Sequence, residues 1–352
     1  MITKRCEQNS FRKTPFCKTY QPEAVLKSFQ KFLGRAALIL GGLLAMSASQ
    51  AQEAAWPNRP IRLIVGFAPG SSPDVQARML APPLSMALGQ PVVVENRPGA
   101  AANIGADAVA KASDGHTIGI IGNGPLTSSQ FLYPNLPYDP ERDFAPLALA
   151  GSAPLVWVTS KGPTGYTAQQ FIDQARAQGR HMAFGSVGAG SGTHLGVELL
   201  KQALKIDPIH VPFNGGPAVL NALISGQIQM ALLPTSTVMP LVQAGKIDAI
   251  AVVSAKRSPL APTLPAMEDL GVKGVNIEVW NAIMAPASMP IAHQTRLREE
   301  LQKIISSREI RQKLLVQGWR VDDYNPKALA ERIRVDRAAY KDVITRNQIQ
   351  LN

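Results

Sequence analysis

The chain has 352 residues, of which 45% are hydrophobic and 17% charged, with a net charge of +11. That balance excludes a disordered or fibrous chain, and no apolar run approaches the roughly 20 residues of a spanning helix. At about 150 residues per domain, the length suggests two domains.

Residues 1–51 hold Lys4, Arg5, Arg12, Lys13, Lys18, Lys27, Lys31 and Arg35 against Glu7 and Glu23. The rest carries 28 basic and 23 acidic side chains, with no Lys/Arg stripe interleaved with aromatics, so nucleic acid is not an expected partner. Ala36 to Met46 reads AALILGGLLAM, preceded by Lys31 and Arg35 and followed by small residues, with Ser49 and Ala51 at the −3 and −1 places of a cleavage site. Basic flank, short apolar core and small-residue exit predict a secretory signal peptide over residues 1–51, cut after Ala51, and a periplasmic product. A start near Val25 or Leu26 would shorten its basic region. Both cysteines, Cys6 and Cys17, lie in this stretch, so the remaining chain has no disulfide, thiolate nucleophile or cysteine metal ligand.

Beyond it, short apolar runs alternate with longer amphipathic stretches. Ile61–Val65 predicts a strand, then a turn cluster from Gly66 to Pro73, then a helix from Asp74, its expected N-cap, to Leu88. Strands are expected at Val92–Val94, Thr117–Ile121, Leu155–Val158, Met182–Phe184, Ile209–Val211, Met230–Leu233 and Ile250–Val253. Thr167 with Gln170 forms a capping box for an Ala168–Gln178 helix, and Thr193 or Ser191 caps the helix carrying Leu195, Leu199 and Leu200. Residues 291–345 are helical almost throughout. Strands alternating with helices of 10–15 residues predict βαβ units and a parallel sheet, an α/β fold.

The catalytic inventory is thin. His116, His181, His194, His210 and His293 show no metal-ligand spacing, and neither H-E-x-x-H nor G-x-S-x-G occurs. In the run from Gly185 to Ser191, Ser191 stands where a phosphate-binding loop needs Lys, and Thr193 where a dinucleotide fingerprint needs Gly. No metal and no cofactor is expected. What remains is a set of Gly/Ser-rich loops between strand and helix: Gly70-Ser71-Ser72, Gly122-Asn123-Gly124, Gly185–Gly192 and Asn214-Gly215-Gly216. Glycine admits a ligand close to the backbone, and the helix N-terminus that follows offers unpaired N–H groups to an anion.

Asn58-Arg59-Pro60-Ile61-Arg62 with Phe67, Gly70 and Asp74 resembles the opening of the Bug-type extracytoplasmic solute receptors, the substrate-binding proteins of tripartite tricarboxylate transporters. The likeness continues through Gly89–Gly99, Asn103–Ala106, Leu136–Asp139, Gly185–Leu195, Val211–Phe213, Ala244–Lys246 and Ser254–Pro259. The resemblance implies two Rossmann-like α/β lobes about a central cleft, the type II periplasmic binding protein architecture. Lobe 1 would comprise residues 52–153 and 278–352 and lobe 2 residues 154–277, with crossings near Pro154 and Ile277. It also implies a monomer, a small carboxylate ligand, and membrane permease subunits as partners. Carried over, the ligand site comprises Phe67, Gly70, Ser71, Ser72 and Asp74, then Asn123 and Gly124. Lobe 2 would add Ser186, Ser191, Gly192, Thr193 and His194, and then Asn214, Gly215 and Gly216.

Two departures bear on the ligand. Ser71 and Pro73 alter a loop that usually has adjacent glycines, and Leu233 stands where members often have an aspartate, which disfavours a ligand amine. An enzyme acting on a carboxylic ester or amide, with His194 as base, is one alternative, and a ligand-occupancy sensor for a signalling partner is another. No acid lies at recognisable spacing from His194. Ser191→Ala and Asn123→Ala are each expected to weaken binding about tenfold or more, with little effect on folding if both face a solvated cleft.

Overall fold

A computed structural model describes residues 56–162, 167–321, 325–346 and 348–350. The signal peptide expected over residues 1–51 lies outside them. In chain order the first elements are β1 (Ile61–Val65), α1 (Ser72–Leu88), β2 (Val92–Asn96), α2 (Asn103–Ala110), β3 (Thr117–Gly122), α3 (Asn123–Thr127) and α4 (Ser129–Leu132). A long β4 (Phe144–Ser160) leads to α5 (Ala168–Gln178), β5 (Ala183–Ser186), α6 (Gly192–Leu204), β6 (Ile209–Pro212), α7 (Gly216–Ile224) and β7 (Met230–Pro234). The rest is α8 (Thr235–Gln243), β8 (Ile247–Val252), β9 (Glu278–Pro286), α9 (Ile291–Ser306), α10 (Arg308–Val316) and α11 (Pro326–Arg346).

The sheet is mixed rather than purely parallel. Strands β1, β2 and β3 pair in parallel, as do β5, β6 and β7, but β4 and β9 run antiparallel to the strands beside them. The reason is topological: each α/β half is built from crossovers, and the two strands joining the halves enter from opposite directions. β4 pairs with β9 from Phe144 to Pro154, then from Leu155 onward with β7 on one side and β8 on the other.

Three cores follow from strand periodicity. Alternate residues of β4 face opposite sides. Leu155 and Trp157 pack with Phe184, Leu200 and Met230, whereas Val156 and Val158 pack with Val219, Leu223 and Leu233. A separate core joins Leu63, Ile64, Leu80, Ile120 and Trp280. β3 is buried along its whole length, as a strand covered on both faces must be. α11 belongs to neither half alone: Tyr340 and Ile344 pack against Leu132 of one and Leu195 of the other. No helix among the described residues is long and apolar enough to cross a membrane.

Candidate functional site

The carboxyl ends of β1, β3, β5 and β7 turn directly into α1, α3, α6 and α8, and these turns meet. Between them lies a cavity of about 80 Å³, room for several water molecules. Its walls come from both halves. Phe67 and Gly70 to Pro73 contribute from the first loop, Gly122 to Pro125 from the second, and Val187 and Ser191 to Thr193 from the third. None of the described lining residues carries a charged side chain.

The donor chemistry follows from the helix starts. Ser71, not Asp74, is the N-cap of α1; its backbone is extended, and Asp74 sits in the first turn. Ser71 is only 4% exposed, yet its hydroxyl has no hydrogen-bond partner among the described residues. Ser191 caps α6, its Oγ accepting from the His194 N–H at 3.3 Å. In α1 the N–H groups of Ser72 and Asp74 (Pro73 has none), and in α6 those of Gly192 and Thr193, have no partner within the helix and lie at the end that stabilises a negative charge. Ser72 Oγ and Thr237 Oγ1 meet at 3.1 Å across the cavity, tying α1 to α8.

Of the expected ligand residues, the structure brings Phe67, Gly70, Ser71, Ser72, Asn123, Gly124, Ser191, Gly192, Thr193 and Gly216 to the cavity wall. Asp74, Ser186, His194, Asn214 and Gly215 are not in that wall. Asp74 is turned inward, accepting from the Gly70 N–H at 2.9 Å, from Asn96 Nδ2 at 2.9 Å and from Arg78 Nε at 3.0 Å. Burial alone would raise its pKa, but the bonds from Arg78, Gly70 and Asn96 hold it below the usual carboxylate value. It is a strut for the loop.

Ser186 and His194 form a second layer. Ser186 is fully buried, with its Oγ 2.7 Å from His210 Nε2. The His194 ring stacks on His210 at 3.9 Å between centroids, and its Nδ1 accepts from the Gly190 N–H at 3.0 Å. His194 therefore shapes the Gly188–Gly190 turn from behind and does not reach the cavity. Burial, with the His210 and Lys201 charges, pulls its pKa down to about 3; burial and Lys201 pull that of His210 to about 4. Both rings are neutral at ordinary pH.

The assumption of a solvated cleft also fails at two positions. Asn123 is 5% exposed and donates to the hydroxyl of buried Tyr340 at 3.0 Å, while Ser191 is 4% exposed and caps α6. Exchanging either disturbs the fold as well as the wall.

Several wall residues had no local sequence signal. Trp319, Val279 and Asn281 arrive from the C-terminal third, and Asn281 Nδ2 donates to buried Gln76 at 2.8 Å. Ala101 arrives on a turn in which Ala100, Ala101 and Ala102 all have positive φ, at 46°, 52° and 74°.

The sequence profile of the family described as "Tripartite tricarboxylate transporter family receptor" matches residues 76–348. Among curated proteins, BugT of Bordetella pertussis is 35% identical over 266 residues, covering 75% of this chain and 81% of that protein. Among solved structures, Rpa4515 of R. palustris with adipate superposes with a TM-score of 0.80 at 30% identity, covering 84% of this chain and all of that one. MatC (Rpa3494) of Rhodopseudomonas palustris with bound malate gives 0.77 at 28% identity, covering 82% of this chain and all of that one.

Proposed function

We propose that this chain, which belongs to the tripartite tricarboxylate transporter receptor family, captures a small carboxylate in the periplasm and presents it to the membrane permease subunits of such a transporter. The observation that carries the reading is the cavity itself. Two helix N-termini, from α1 and α6, open on one uncharged space beside the unpartnered Ser71 hydroxyl. That arrangement suits an anion held by neutral groups. The relatives with adipate and malate support the ligand class, and their fold is this one.

The proposal includes residues 1–51 as a cleaved leader, with the mature protein beginning at Gln52 and acting as a monomer. The lobes would be residues 52–153 with 278–352, and residues 154–277, hinged where β4 changes partners beyond Pro154. Capture without turnover fits the placement of the basic groups. His194 is held as an acceptor behind the wall, and Ser186 is sealed from the cavity. Mass spectrometry of small molecules released from the purified, denatured protein tests the reading directly. A stoichiometric carboxylic acid is the expected result, whereas a neutral or cationic occupant overturns it.

A further inference from the structure

Two amides in the cavity wall, those of Asn123 and Asn281, are each tied from behind by one buried polar side chain. Asn123 Nδ2 lies 3.0 Å from the Tyr340 hydroxyl, and Asn281 Nδ2 lies 2.8 Å from Gln76 Oε1. Tyr340 belongs to α11, and Gln76 to α1, where it is 0% exposed. The strand register makes room for the second pair. Asn281 of β9 stands between Gly122 of β3 and Gly151 of β4. A Cβ on Gly122 would lie 3.4 Å from Asn281 Oδ1, and one on Gly151 would lie 3.0 Å from Gln76 Nε2.

Stability gives little reason for these polar groups. Leucine in place of Gln76 and phenylalanine in place of Tyr340 would fill the same space without burying an amide or a hydroxyl, and Gln76 Nε2 has no partner among the described residues. What the two side chains do is hold the wall amides in place. Neither wall amide makes a further bond among the described residues, so each keeps one N–H and a carbonyl oxygen for the cavity. The cavity has room for only several water molecules, and a ligand displaces them. A plain hydrocarbon body would then leave both amides without partners, which is costly. A hydroxyl there accepts from an amide N–H and donates to an amide oxygen, so it suits either turn of each amide.

We infer that Asn123 and Asn281 read a hydroxyl on the body of the ligand, so that the site prefers hydroxycarboxylates to their deoxy counterparts, and that Tyr340 and Gln76 are the positioning residues of the two amides. The inference rests on the carboxylate-receptor reading and deepens it. The starts of α1 and α6 take the carboxylate, and the amides take the hydroxyl. A site built to bond a hydroxyl rejects the analogue that lacks it, because the site's own polar atoms are left bare.

Titration calorimetry on the purified protein tests it with each enantiomer of lactate, 3-hydroxybutanoate and malate against propanoate, butanoate and succinate. In the tightest-binding pair the hydroxy acid should bind at least about tenfold more tightly than its deoxy partner, a difference of about 1.4 kcal/mol. Deoxy acids that match their hydroxy partners overturn the inference and leave the carboxylate reading standing. No binding by any of these acids also overturns it, and the molecules released on denaturation then decide the carboxylate reading separately. Asn281→Ala should bring the ratio close to one. Gln76→Leu and Tyr340→Phe should each lower the ratio severalfold while the deoxy acid keeps its affinity; a purely structural role would weaken both acids of a pair alike. An unchanged ratio in all three folded variants overturns the assignment of the amides. The ratio on the unmodified protein decides the hydroxyl preference even where a variant fails to fold.

Discussion

Three residues apart at the start of α1, Ser71 and Asp74 use their oxygens in opposite ways. The Asp74 carboxylate is engaged by Gly70, Asn96 and Arg78, so it fixes the loop that carries Ser71. The Ser71 hydroxyl makes no hydrogen bond among the described residues. Ser71→Ala should therefore leave the melting temperature of the free protein unchanged or slightly higher. It should weaken carboxylate binding about tenfold, because hydrogen bonds to charged groups are worth about 1.5–3 kcal/mol. Asp74→Ala should destabilise by about 2 kcal/mol or more, because it removes the bonds that Arg78, Asn96 and Gly70 make to one buried carboxylate. Melting curves and calorimetry on the two variants separate the roles. The stacked histidines make a second prediction at this scale. The folded-state pKa values of His194 and His210 lie below the ordinary 6.5, so the unfolded chain takes up protons first as pH falls. The stability they permit is fully present above about pH 6.5 and drains away as pH falls toward 4 and 3, by up to about 1.4 kcal/mol per pH unit for each ring. Melting temperature should drop between pH 7 and pH 5, and His210→Gln, with one titrating ring fewer, should flatten the drop.

At the scale of elements, legibility tracked how local the cause was. The capping box of Thr167 and Gln170 and the helix Ala168–Gln178 are present as read, because capping is decided within four residues. The core strands were legible from their apolar runs, although β9 escaped: its partners in β3 and β4 lie about 125 to 165 residues earlier in the chain. Asp74 was misread as a cap because an acid near a helix start serves either position, and only the extended backbone of Ser71 decides between them. The turn Ala100–Ala102 was the least legible, since three alanines favour a right-handed helix. Here the left-handed turn is held between partners: a Cβ on Gly66 would lie 2.7 Å from that of Ala102, and one on Gly188 would lie 2.8 Å from that of Ala101. Left-handed backbone costs alanine roughly 1–2 kcal/mol per residue, strain of the kind that collects at ligand sites. Ala101→Gly relieves part of it and should stabilise the protein by about 0.5–1 kcal/mol, read as a rise of about one degree in melting temperature. An unchanged or lower value would mean that the entropy glycine loses on folding outweighs the strain.

For the molecule as a whole, the question is whether the halves part when the cavity is empty. Beyond the walls themselves they touch through α11, packed on Leu132 and Leu195, and through Ser128 Oγ, which donates to the Gly190 carbonyl at 2.7 Å, and Tyr133 OH, which donates to that of Ala189 at 3.0 Å. Gly192 offers a clean probe. It is the first residue of α6 with ordinary helical backbone, so alanine there is conformationally acceptable and even favoured. What forbids a side chain is the opposite wall: a Cβ would lie 2.8 Å from Asn123 Nδ2 and 3.1 Å from Val279 Cγ1. If the halves hinge about β4 and β9, the free protein can open and accommodate the methyl group. The ligand favours the closed arrangement only by its differential affinity, and the methyl group subtracts from that difference. Gly192→Ala should then keep or raise the melting temperature of the free protein and weaken carboxylate binding tenfold or more, with small-angle scattering showing the variant staying extended at saturating ligand. If the halves are instead one rigid body, the clash cannot be escaped by opening. The same substitution would lower the melting temperature of the free protein, and scattering with and without ligand would coincide. The two outcomes exclude one another because the clash lies wholly between the halves and none of it within α6.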